Sequence, residues 1–224
     1  MPPRGRSKRR CDCMPVTAKI CGLSTPETLG AAIAGGASHV GFVFYGKSPR
    51  NVTLELAAQL AAQVPSQVAR VGLFVNPDPE FVAHVVSQVS LEVLQLHGEE
   101  TPELAAQLGA RHAVWKAIPV RTRADLAVGK SYRGAVERLL YDAKPPKGAE
   151  LPGGNGLRFD WNLLDGFAHP LPWALSGGLD ADNVAEAVRI TGAGLVDISS
   201  GVESAPGIKS VDKITGFLQA VASL

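Results

Sequence analysis

Two small-residue turns stand one strand–helix unit apart near the C-terminus, Ser176-Gly177-Gly178 and Ser199-Ser200-Gly201. Each follows a short apolar run, Trp173-Ala174-Leu175 and Gly194-Leu195-Val196-Asp197-Ile198. Between them, Asp180 to Arg189 has helical spacing with Val184, Ala187 and Val188 on one side, and Asp180 or Asp182 is placed to cap its start. Glycines let the main chain approach an anion closely, and N–H groups at a turn or helix start can bind it. Either turn alone reads as an ordinary glycine turn. Two at this spacing can grip one phosphate from both sides, with Gly177, Gly178, Ser199, Ser200 and Gly201 as the binding residues.

Further reactive types fall where other apolar runs end: Cys21, Arg50, Asn76, His97, Asp142 and Asp197. Cys21 is either a small buried hydrophobe or a thiolate able to take a proton from carbon. Asp142 is either a hydrogen-bonded loop anchor or an acid/base. Arg50 is either a solvated loop cation or a planar fork for a substrate carboxylate. His97 is the only histidine at a strand end. His39 and His112 begin strands, His84 sits within a helix and His169 lies in a loop, so those four read as surface or structural. Cys11 and Cys13 have no His or further Cys cluster beside them, and no metal site is expected.

These positions need a scaffold that brings many strand ends to one face. Strand-like runs over 16–20, 39–44, 68–75, 91–96, 112–118 and 137–141 precede the two already described, with helical spacing over 26–34, 53–63, 78–87, 101–108 and 211–222. A weak helix falls at 122–128 and a short helical turn at 160–167. Eight strands alternating with helices predict an α/β fold, a single (β/α)8 TIM barrel with its active site at the C-terminal face of the strands. The long Gly/Pro-rich segment 144–158 reads as a lid.

At 224 residues and 46% hydrophobic the chain suits one such barrel, read over residues 15–224. Residues 1–14 read as a basic, disordered tail, or an over-called start ahead of Met14. The tail has no apolar core of a secretory signal, and no run approaches a membrane span. A formal net charge of +1 gives no argument for a nucleic-acid or membrane partner. Cys11, Cys13 and Cys21 form an odd, clustered set that is no disulfide framework, which points to a reducing cytoplasmic location.

One motif is refused. Gly41-Phe42-Val43-Phe44-Tyr45-Gly46-Lys47-Ser48 matches the P-loop expression, but its centre is an apolar strand and Pro49 follows where a helix would have to start.

Lys19-Ile20-Cys21-Gly22, Gly41-Phe42-Val43-Phe44 with Ser48-Pro49-Arg50, Val71 to Asn76, and Leu94-Gln95-Leu96-His97-Gly98 together resemble the phosphoribosylanthranilate isomerase family of tryptophan biosynthesis. So do Leu140-Tyr141-Asp142, Gly153 to Gly156, Leu175 to Leu179, and Asp197-Ile198-Ser199-Ser200-Gly201-Val202-Glu203. The resemblance runs in order from about Thr17 to the C-terminus. It implies a barrel that works without metal or organic cofactor and performs an Amadori rearrangement on a small-molecule phosphosugar, N-(5-phosphoribosyl)anthranilate. It further implies Cys21 as general base, Asp142 as general acid and Arg50 on the anthranilate carboxylate. His97 and Asp197 are counted with Arg50 as substrate-binding, and the chain is expected as a monomer or homodimer. The segment after Asp142 and the basic tail depart from the family pattern.

Two other readings compete. A histidine-pathway type of aldose–ketose isomerase would use two aspartates, and Cys21 at the first strand end argues against it. A non-catalytic phosphosugar-binding barrel is countered by the full set of polar strand ends.

Overall fold

The computed structural model of the protein describes residues 15–146, 148–149 and 151–224, so the reading of residues 1–14 as a tail lies outside the described residues. Eight parallel strands close into a barrel in sequence order: β1 (Thr17–Cys21), β2 (His39–Phe44), β3 (Ala69–Phe74), β4 (Val93–Leu96), β5 (Ala113–Val120), β6 (Arg138–Ala143), β7 (Trp173–Leu175) and β8 (Leu195–Ile198). Closure is made by β1 on β8, with Lys19 beside Asp197 in the ladder. The expected (β/α)8 architecture is present.

The helices outside the barrel are α1 (Pro26–Ala34), α2 (Leu54–Ala61), α3 (Pro79–Gln88), α4 (Pro102–Gly109), α5 (Arg123–Leu126), α6 (Val184–Thr191) and α7 (Val211–Ala222). Local chemistry sets their starts. Thr25, Thr53, Asp78 and Thr101 each accept a backbone N–H from the first turn, and Pro26, Pro79 and Pro102 follow three of these caps.

The start of α6 departs from the expected Asp180 or Asp182 cap. Asn183 occupies the cap position, and Asp180 instead accepts from the N–H groups of Asp182 and Asn183, each at 2.9 Å. That Asp-stabilised turn uses the residues before Val184, so the helix begins later than its spacing predicts. The weak helix after β5 is a single α-turn continued as a 3₁₀ turn through Tyr132. A hairpin of β9 (Glu203–Ala205) and β10 (Ile208–Lys209) was not apparent from the sequence.

Side chains alternate in and out along each strand. Outward residues such as Ile20, Phe42 and Leu94 pack under the helices in the main core. Inside the barrel, Val71, Trp115, Leu140 and Leu195 belong to one apolar cluster, while Cys21, Val43 and Leu73 form another. Gly41 to Phe44 lie within β2, in register with Val71 to Phe74, so the P-loop expression is met by a strand. Among the described residues, no helix is long and apolar enough to cross a membrane.

Candidate active site

A cavity of about 780 Å³, open solvent at its mouth included, lies at the C-terminal ends of the strands. Cys21, Arg50, His97, Asp142 and Asp197 all line it, and so do the turns at 176–178 and 199–201. Asn76 does not. It takes a left-handed turn at φ 46°, and its Oδ1 accepts from Glu99 N, so it shapes the loop after β4. Buried Glu100, paired with Lys116 at 2.9 Å, accepts the N–H groups of Asn76 and Gly98 and anchors the same loop.

Asp142 stands one residue before the end of β6 and is buried. One carboxylate oxygen accepts from Ala143 N at 2.9 Å, and the other is 3.0 Å from His97 Nε2. His97 Nδ1 is in turn 3.2 Å from the amide nitrogen of buried Gln95. This chain holds the carboxyl group in one orientation at the cavity wall, so Asp142 anchors the loop and also faces the cavity. Gly153 of the loop after β6 packs against both partners: a Cβ there would sit 2.5 Å from His97 Nε2 and 2.8 Å from Asp142 Oδ2.

Cys21 ends β1, buried against Val43 and Leu73, with its carbonyl accepting from Ser199 Oγ at 3.1 Å. It is a free thiol that still reaches the cavity. One step deeper, Lys19 Nζ meets Asp197 Oδ1 at 2.8 Å, and both are buried. Asp197 therefore spends one oxygen on Lys19 and presents the other toward Ser176 Oγ at 3.5 Å.

Arg50 is not a solvated cation. Its Nε and Nη2 donate to Glu203 Oε1 and Oε2 at 2.7 and 2.8 Å, and Nη2 also donates to Gly154 O at 3.0 Å. Glu203 is shared with Lys209, whose Nζ donates to Glu203 Oε1 at 2.7 Å and to Ser199 O at 2.9 Å. Burial works against the Glu203 carboxylate, but the Arg50 hydrogen bonds and the Lys209 charge outweigh it and hold the group below the usual range. Burial pushes the Lys209 ammonium down, more than Glu203 pulls it back. The hairpin thus carries the residue that orients Arg50.

The two small-residue turns converge. Gly177 and Gly178 take φ 91° and 64°, a region that favours glycine. A Cβ on Gly201 would collide with the Leu179 carbonyl, so the second turn lies directly against the first. The 3₁₀ turn from Ser200 to Val202 starts at this contact. Backbone N–H groups of two turns in contact are the kind of cradle that binds an anion.

Every residue singled out as catalytic, substrate-binding or phosphate-binding lines this one cavity. Sequence reasoning missed Lys19, Gln95, Glu203 and Lys209 as parts of the site. For the first two a signal existed, a lone polar side chain inside an apolar strand. For Glu203 and Lys209 there was only the Pro-Gly turn between them. Among the described residues, no three His, Cys, Asp or Glu side chains group to hold a metal ion.

The N-(5'-phosphoribosyl)anthranilate (PRA) isomerase family matches residues 18–220. The chain is 56% identical over 214 residues to the N-(5'-phosphoribosyl)anthranilate isomerase of Rhodospirillum centenum, covering 94% of this chain and 100% of that one. Phosphoribosyl anthranilate isomerase from Thermotoga maritima superposes with a TM-score of 0.85 at 38% identity, covering 93% of this chain and 100% of that one. A phosphoribosyl anthranilate isomerase in complex with reduced 1-(o-carboxyphenylamino)-1-deoxyribulose 5-phosphate superposes at 0.82 and 37% identity, over 93% and 100% of the two chains.

Proposed function

Because this chain belongs to the N-(5'-phosphoribosyl)anthranilate isomerase family, we propose that Cys21 and Asp142 are the base and the acid of its reaction. The protein is an isomerase of tryptophan biosynthesis. It converts N-(5-phosphoribosyl)anthranilate to 1-(2-carboxyphenylamino)-1-deoxy-D-ribulose 5-phosphate by an Amadori rearrangement.

The observation that carries the assignment is that Cys21 and Asp142, from β1 and β6, face one cavity together with Arg50 and the paired turns. Asp142, protonated, donates to the ribose ring oxygen; the C1–O bond breaks and C1 becomes a protonated imine. Cys21 as thiolate removes the C2 proton, giving an enolamine. The C2 hydroxyl then loses its proton, C1 gains one, and the ketone forms. Counted over the cycle, the proton taken by Cys21 balances the one C1 gains, and the hydroxyl proton balances the one Asp142 gave. An acid and a base tuned near neutrality are what this chemistry demands.

Substrate is held at three points. The N–H groups around Gly177, Gly178, Ser199, Ser200 and Gly201 take the phosphate. Arg50, with Nε and Nη2 committed to Glu203, offers its remaining Nη1 edge to the anthranilate carboxylate. His97 orients Asp142, and Asp197 faces the sugar with the oxygen that Lys19 leaves free. Residues 15–224 constitute the catalytic domain. Its working location is the cytoplasm, where a thiol base stays reduced.

The test is the loss of anthranilate fluorescence with phosphoribosylanthranilate generated in situ. Turnover by wild-type protein supports the reading. Folded protein that binds the product yet shows no turnover refutes it.

A further inference from the structure

Lys19 is wholly buried, two residues before Cys21 on the same strand, so both point into the barrel. The reaction as described gives it nothing to do. An ammonium without access to water is costly to keep, and a methionine would fill the same volume.

Gly41 shows where the ammonium goes. It is the ladder partner of Cys21 on β2. A Cβ on Gly41 would lie 3.1 Å from Cys21 Sγ and 3.2 Å from Lys19 Nζ. Sulfur and ammonium therefore flank one bare backbone position, which only glycine leaves open. Around the sulfur itself the packing is apolar, with Val43 and Leu73. Apolar packing by itself favours the neutral thiol, which is no base.

We propose that Lys19 is a positioning residue for the base: its buried ammonium, kept charged by Asp197, holds Cys21 as the thiolate before substrate arrives. The proposal rests on the reading of Cys21 as the base. Burial works against the Lys19 ammonium, but Asp197 and Cys21 outweigh it and hold the group above the ordinary lysine value.

The charged groups of the surrounding elements are paired as follows. Lys19 from β1, Arg50 from the loop after β2 and Lys209 from β10 are cations, while Asp197 from β8 and Glu203 from β9 are anions. Across the mouth, Asp142 is engaged by His97. Asp197 answers Lys19, and Glu203 answers one of Arg50 and Lys209, so the surplus positive charge lies with the Arg50–Glu203–Lys209 group.

The experiment is the pH dependence of iodoacetamide alkylation, read by mass on the Cys21 peptide so that Cys11 and Cys13 do not contribute. Wild-type Cys21 reacts at lower pH than glutathione under the same conditions. Lys19→Met moves the profile upward and slows alkylation at pH 7 by about tenfold or more, since a nearby opposite charge shifts a group by one to three pH units. Lys19→Arg keeps the wild-type profile, and Asp197→Asn does not move it upward. If Lys19→Met does not fold, Lys19→Met with Asp197→Asn, which buries no unpaired charge, must show the same upward shift. In the assay with substrate, kcat falls with the thiolate fraction and KM hardly changes. A wild-type alkylation profile in the folded double variant overturns the proposal, as does a wild-type Cys21 that reacts only where glutathione does. Alkylation needs no substrate, so a failure of Cys21 as base appears separately, as unchanged kcat in Cys21→Ala.

Discussion

Arg50 and Glu203, 153 residues apart in sequence, share two parallel hydrogen bonds of 2.7 and 2.8 Å. Planar fork meets planar carboxylate, and both side chains are almost buried. The pair fixes the plane of a guanidinium that lines the cavity. Glu203→Gln should therefore weaken substrate binding without touching the reacting atoms. KM should rise about tenfold, equivalent to about 1.4 kcal/mol, while kcat changes little. An unaltered KM in the folded variant would confine Glu203 to holding the hairpin.

Arg50→Ala should cost product-analogue affinity about 2–5 kcal/mol, the usual range for a buried charge pair. Arg50→Lys should recover little of this, because one ammonium cannot serve Glu203 and a substrate carboxylate in the same geometry. Calorimetric titration with the analogue checks both. Equal affinity in wild type and Arg50→Ala would remove Arg50 from the binding site.

Gly153→Ala places a methyl within contact of both His97 and Asp142. The acid then shifts or the loop moves away, and kcat should fall by as much as about 10²-fold, the scale of a misplacement of about 1 Å. The melting temperature should hardly change, because the residue lies in a loop over the cavity. Full activity would show that this loop sits elsewhere during turnover.

His39 gives a pH dependence of stability. It begins β2 inside the barrel, 5.0 Å from the Trp115 ring. Burial, then Lys19, then Arg138 push its pKa from 6.5 down to about 4. The folded protein holds it neutral, whereas the unfolded chain takes up a proton below about pH 6.5. The stability linked to His39 is thus complete above pH 6.5 and lost as pH falls toward 4, at up to about 1.4 kcal/mol per pH unit. Urea unfolding at pH 7 and pH 5 should show this loss, reduced in His39→Phe. Equal losses in the two proteins would contradict it.

Much of the fold was legible because each strand-to-helix junction carries its own local signal, such as Thr25-Pro26 or Thr101-Pro102. The candidate site residues were legible for a related reason: in parallel barrels, strand ends collect at one face, so Cys21, His97 and Asp142 could be grouped without knowing any distance. Pairings across the chain were not. Nothing near Lys19 announces Asp197, which lies 178 residues away, and nothing near Arg50 announces Glu203. The strands of the β9–β10 hairpin are too short for alternation to be read. The α6 cap was misread because Asp180 and Asn183 compete for the same turn, and only their hydrogen bonds decide between them.

The most direct test of Cys21 and Asp142 as base and acid is the turnover number of Cys21→Ala and Asp142→Asn, measured beside their affinity for the reduced product analogue. Each variant should lose at least about 10²–10⁴-fold in kcat, the contribution of one positioned proton-transfer group, with analogue affinity nearly intact. A folded Cys21→Ala that keeps wild-type kcat would contradict the account and move the search for the base to His97.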